Sequence, residues 1–114
     1  MGVRVRYVRN EEVRRVLLGV PEGHKHLRLA VELEGGEVLV FSEATVANIV
    51  RAYVTLLTHP TIRALELEGR RLSARKGGYA EYQLLETGKA PEDVESELAT
   101  ILSQARPLRP CRKQ

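Results

Sequence analysis

A chain of 114 residues holds a single domain, long enough to bury a core without disulfides or a structural metal. Hydrophobic residues at 43% and charged residues at 29% exclude a disordered chain. The net charge is only +3 although the pI is about 9.3, which excludes a strongly basic chain and leaves the distribution of charge to be read along the sequence.

The first residues, Met1-Gly2-Val3-Arg4-Val5-Arg6, are charged from the fourth on with no apolar run, unlike an ordinary signal peptide, and the longest uncharged run, Ala52 to Ile62, is too short for a bilayer. A cytoplasmic protein is expected. Residues 3–9 alternate apolar and basic side chains, the period of a half-buried strand. Asn10 is placed to cap a short helix over Glu11–Leu18, with Val13, Val16 and Leu17 on one face and Gly19 as its stop. Residues 26–34 alternate again, with Leu27, Leu29, Val31 and Leu33 on one side. Gly35-Gly36 and the run Val38–Phe41 follow, which predicts a tight hairpin.

Ser42 then caps a main helix that runs to about Thr58, before Pro60. That helix is apolar nearly all round, with only Glu43 and Arg51 charged, so it must be covered on more than one side. Residues 62–68, 70–75 and 79–86 read as three strands turning at Gly69 and at Gly77-Gly78. Pro91 opens the last helix, with Glu92 and Asp93 at its positive end and Val94, Leu98, Ile101, Leu102 and Ala105 as its apolar stripe.

The expected order is β-α-β-β-α-β-β-β-α. It implies an α+β two-layer sandwich, with an antiparallel or mixed sheet of five to six strands and three helices on one face. Residues 1–105 form the expected domain and 106–114 a basic, solvated tail. Leu29, Val31, Val40, Ile49, Val50, Tyr53, Leu65, Leu67, Leu98 and Ile101 are expected to form the core between sheet and helices.

Charge is segregated. Residues 1–89 carry fourteen basic and eleven acidic side chains, residues 90–105 four acids, and residues 106–114 four bases. Basic residues are overwhelmingly Arg, while Asn, Gln, Cys and Met are scarce, as in a thermophile or a high-GC genome.

Three chemistries are available to these residues. His24 and His26 share a strand face in principle, and with His59 they could ligate a metal in a small metal-dependent enzyme. Arg70, Arg71, Arg75 and Lys76 make one hairpin basic; with Arg106, Arg109, Arg112 and Lys113 they could hold nucleic-acid phosphates weakly and without sequence preference. Cross-strand pairing with Glu32, Glu34, Glu66, Glu68 and Glu81 would consume much of that charge. Lys76-Gly77-Gly78 could cradle a phosphate but leads into a strand, which suits a hairpin turn.

Asn48 and Arg51 lie three apart on the main helix and could line a pocket or an interface. Cys111, the lone cysteine, lacks a fixed neighbour to activate it. Nucleophile and zinc-protease motifs are absent, and no cofactor is implied. The favoured reading is a non-enzymatic binding or assembly module, self-associating through the helix at 43–58, with a weak nucleic-acid-binding protein and a small His-based metal enzyme as the alternatives.

Overall fold

The computed structural model describes residues 4–72 and 81–105. Five strands and two helices run in the order β1 (Val13–Gly19), β2 (Arg28–Leu33), β3 (Val38–Ser42), α1 (Glu43–Thr58), β4 (Leu67–Arg71), β5 (Tyr82–Glu86) and α2 (Pro91–Gln104). The strands form two separate antiparallel sheets, one ordered β1-β2-β3 and one β4-β5. The single sheet of five to six strands under three helices is therefore corrected to sheets of three and two strands with two helices.

The β2–β3 hairpin forms where the glycines place it. Its loop is Glu34-Gly35-Gly36: Gly36 N–H donates to Leu33 O at 2.9 Å, and Leu33 N–H donates to Glu37 O at 2.8 Å. Gly36 has φ +98°, a left-handed conformation that closes a three-residue loop and is cheap only for glycine.

The segment expected as a first helix is instead β1, an edge strand paired with β2. Val13 opposes Leu33, Arg15 opposes Glu32 and Val16 opposes Val31, with the register slipping between Val13 and Arg15. The extra residue of this bulge puts Val13 and Val16, three apart, on the same sheet face. Their spacing imitates helical period for that reason. An isolated helix this short would also be marginal, whereas β2 offers it a row of backbone partners.

Residues 4–9 carry no strand despite their alternation. Side-chain bonds hold them instead: Arg6 reaches Glu37 at 2.8 Å and Glu12 at 3.4 Å. Alternation makes a strand only where a backbone partner is available.

Gly69 is no turn. β4 runs straight through it, opposite Leu84, and the bare Cα faces Leu84 Cδ2, 3.8 Å from where a Cβ would stand. The three-strand meander becomes one two-stranded pair, β4–β5. The Gly77-Gly78 turn and the tail at 106–114 lie outside the described residues.

Helix α1 starts at Ser42, as read. No side-chain cap bond forms there; the Glu43 carboxylate instead accepts the Leu27 backbone N–H at 3.0 Å, tying the helix start to the approach to β2. The helix bridges the two sheets, packing mainly on β5 and more lightly on β2 and β3.

The core departs most from expectation. Among the described residues the buried hydrophobic side chains are Leu33, Ala64, Val94 and Ala105. Leu29, Val31, Leu65 and Leu67 are only half-buried, and Val40, Ile49, Val50, Tyr53, Leu98 and Ile101 are exposed. The cause is the splitting of the sheet: two small sheets with one helix between them do not enclose a layer. No helix among the described residues is long and apolar enough to cross a membrane.

Candidate functional site

The first turns of α1 meet the β4–β5 pair in an open cleft of about 160 Å³, lined by Ala44, Thr45, Gly69, Tyr82, Gln83 and Leu84. A polar chain runs beside it. Arg51 donates to Asn48 Oδ1 at 2.8 Å, and Asn48 Nδ2 donates to Ala44 O at 2.7 Å and to Gln83 Oε1 at 3.1 Å. Asn48, singled out in the sequence, thus ties α1 to β5, and Arg51 fixes its amide orientation. Arg71 stacks over the Tyr82 ring, 4.7 Å from its centroid, and bonds Glu81 at 2.8 Å. The cleft is smaller than the roughly 300–1,000 Å³ of small-molecule sites, and its lining offers two hydroxyls, Thr45 and Tyr82, with no carboxylate or imidazole among its residues. It is a packing joint.

The histidines do not converge. His24 is exposed after the Pro21–Gly23 turn, and His26 Nδ1 lies 3.5 Å from Glu43 Oε1 at the start of α1. His59 follows the other end of the same helix, where its Nδ1 accepts the N–H groups of Thr61 and Ile62 at 3.4 and 3.3 Å. A helix of 16 residues separates His26 from His59 by about 24 Å at 1.5 Å per residue, a distance that loop and strand spacing could not reveal. Among the described residues no group of three His, Cys, Asp or Glu side chains could hold a metal.

The described part of the basic hairpin is paired with acids. Arg70 bonds Glu68 at 3.3 Å and Arg71 bonds Glu81. Arg15 likewise bonds its cross-strand neighbour Glu32 at 2.6 Å. Arg75, Lys76, Arg106, Arg109, Arg112 and Lys113 lie outside the described residues.

One ionic cluster was not foreseen. Lys89 bonds Glu97 of α2 at 2.7 Å and lies 3.6 Å from Glu66, which accepts the Thr87 hydroxyl at 2.7 Å. The Thr87 bond, helped by Lys89, holds the Glu66 carboxyl below the ordinary carboxylate range. The bond to Glu97 and the charge of Glu66 hold the Lys89 ammonium above its ordinary value. The cluster fastens α2 to the chain that enters β4.

The most distinctive surface is the outward side of α1. Ala44, Thr45, Val46, Asn48, Ala52, Thr55 and Leu56 are its half-buried positions, a mostly small or polar set. Ile49, Val50, Tyr53, Val54 and Leu57 are exposed, Tyr53 at 61% and Leu57 at 65%. The helix presents its apolar bulk away from its own sheets, the reverse of an ordinary surface helix.

A second apolar surface is the edge of β1 that no described strand covers, where Val16, Leu17 and Leu18 are 51%, 54% and 59% exposed. Reading this segment as a helix hid that edge. The aliphatic run Val16–Leu18, bounded by Gly19 and Pro21, was the signal for it. Comparisons with protein-family models, curated proteins and solved structures find no match.

Proposed function

We propose that this protein is a non-enzymatic assembly module whose contact surface is the outward face of α1 and whose partner is a second copy of the same chain. The observation that carries the reading is the inversion of α1: Ile49, Val50, Tyr53, Val54 and Leu57 face outward while Asn48, Thr45 and Thr55 face the sheets. Contiguous exposed apolar surface of this kind marks interaction sites.

A second copy fits because the face carries no sign of charge. The two charged residues of the helix are engaged elsewhere, Glu43 with Leu27 and Arg51 with Asn48. An uncharged stripe is complementary to itself, as a two-fold contact requires.

The magnitude fixes the expected strength. Covering five half-exposed side chains is worth about 1 kcal/mol each, so about 10 kcal/mol gross for two copies. Association costs about 4–15 kcal/mol. A contact through α1 alone is therefore weak and concentration-dependent.

Sedimentation velocity across a concentration series tests this. The parent protein is expected to gain mass as concentration rises, and Tyr53→Lys with Leu57→Lys to associate more weakly at every concentration, with unchanged circular dichroism. A parent that stays monomeric at the highest concentration, or a double variant that associates like the parent, contradicts it.

A further inference from the structure

We infer that β1 is a second self-association site, at which the β1 strands of two copies pair antiparallel about a two-fold axis at Leu17. The inference rests on the proposed assembly of identical copies but concerns a different surface.

The free edge is the starting point. Among the described residues β1 pairs with β2 on one side only, and from Arg14 onward every residue of the strand is exposed. An edge strand offers unpaired N–H and C=O groups to another chain. Here the edge is also apolar: Val16, Leu17 and Leu18 are each more than half exposed.

The side chains specify a second copy and a register. The bulge lies between Val13 and Arg15, so Arg15 to Gly19 is the regular stretch. Pairing this stretch with itself about Leu17 puts Leu17 opposite Leu17, Val16 opposite Leu18 and Arg15 opposite Gly19. Residues directly opposite share a sheet face, so all three half-exposed apolar side chains gain apolar partners.

Like charges never meet in this arrangement. Each Arg15 lies beside a glycine that leaves room for it, and each is already bonded to Glu32. Centring the two-fold on Arg15 instead would set guanidinium against guanidinium, which is destabilising. With the two-fold at Leu17 the two three-stranded sheets become one sheet of six strands. The apolar rows Val16–Val31–Leu39 and Leu18–Leu29–Phe41, which the register aligns across each copy, then meet across the junction.

The test uses the full chain carrying Cys111→Ser, which removes its only cysteine. Opposed side chains in an antiparallel pair have Cβ atoms about 4.5–5.5 Å apart, within reach of a disulfide after slight adjustment. Leu17→Cys is expected to form a covalent dimer on mild oxidation at least about tenfold faster than Glu22→Cys, an exposed control on the following turn, because pairing raises the local thiol concentration. Leu17→Lys, at an exposed position, is expected to lower the sedimenting mass. Should that variant fail to fold, the cross-linking rate alone decides.

Cross-linking of Leu17→Cys no faster than the control overturns the inference, as does a folded Leu17→Lys protein of parental mass. Loss of association in Tyr53→Lys with Leu57→Lys, beside unchanged behaviour of the Leu17 variants, leaves the α1 contact standing and removes this one. The opposite pattern removes the α1 contact and keeps the strand pairing.

Discussion

Helices α1 and α2 are of similar length, 16 and 14 residues, and both expose apolar side chains, yet they are held in opposite ways. α2 is pinned by one buried apolar residue, Val94, and by the Lys89–Glu97 ion pair; its stripe of Leu98, Ile101 and Leu102 remains exposed. α1 has no buried residue at all. It is held by hydrogen bonds, Asn48 to Gln83 and Glu43 to Leu27, while its apolar bulk points away. The difference teaches that an apolar helix is not always anchored by its apolar face. Where polar bonds dock it, the hydrophobic surface is left exposed.

The same chemical change in the two helices gives the largest contrast. Val94→Ala removes two methyl groups from a buried site and should destabilise the fold by about 2 kcal/mol. Val54→Ala, on the exposed face of α1, should stay within about 0.5 kcal/mol. Urea titration of both variants in dilute protein measures the pair. Equal losses would mean that the outward face of α1 is already covered within one chain.

Asn48 should have a smaller effect. Asn48→Ala removes the bond to Gln83 and frees Arg51, at a cost of about 1 kcal/mol, and should loosen α1 from β5 selectively. Hydrogen exchange is expected to show faster opening in α1 and β5 than in the β2–β3 hairpin. Uniform acceleration would mean that the Asn48 bond is not what docks the helix.

The smallest expected effect is the pH response of the α2 fastening. Glu66 is depressed in the folded protein, so its stabilisation is fully present above the ordinary carboxylate pKa and is lost as pH falls through the lowered value. Lys89 is raised, so its contribution is present below the ordinary ammonium pKa and is lost as pH rises through the raised one. Both groups are well solvated, so the changes are modest. Thermal unfolding of Glu66→Gln against the parent should converge at low pH and separate near neutrality. A constant difference across the acid range would show that Glu66 is not held ionised by Thr87 and Lys89.

Parts of this arrangement were legible in the sequence because they depend on local chemistry. Gly35-Gly36 fixes the β2–β3 loop, Ser42 and Pro60 bracket α1, and Pro91 opens α2. What failed depends on tertiary partners. A bulge at β1 turned a strand into helical spacing, and the alternation of residues 4–9 found side-chain ties instead of a sheet edge. Gly69 looked like a turn because nothing local announces that Leu84 will lie opposite it.

The candidate surfaces divide in the same way. That α1 has too much apolar surface was evident from its composition; that the surplus would face outward was not, since it requires knowing that Asn48 bonds Gln83. The separation of His26 from His59 by the length of α1 was likewise beyond reach of spacing arguments.

The most direct measurement of the central claim is a methyl NMR dilution series on the intact chain. Methyl signals of Ile49, Val50, Val54 and Leu57 on the outward face of α1 should shift between millimolar and low micromolar protein, while Ala52 and Leu56 on its inward face hold their positions. Outward methyls that do not move across that range, or inward methyls that move with them, would contradict the account.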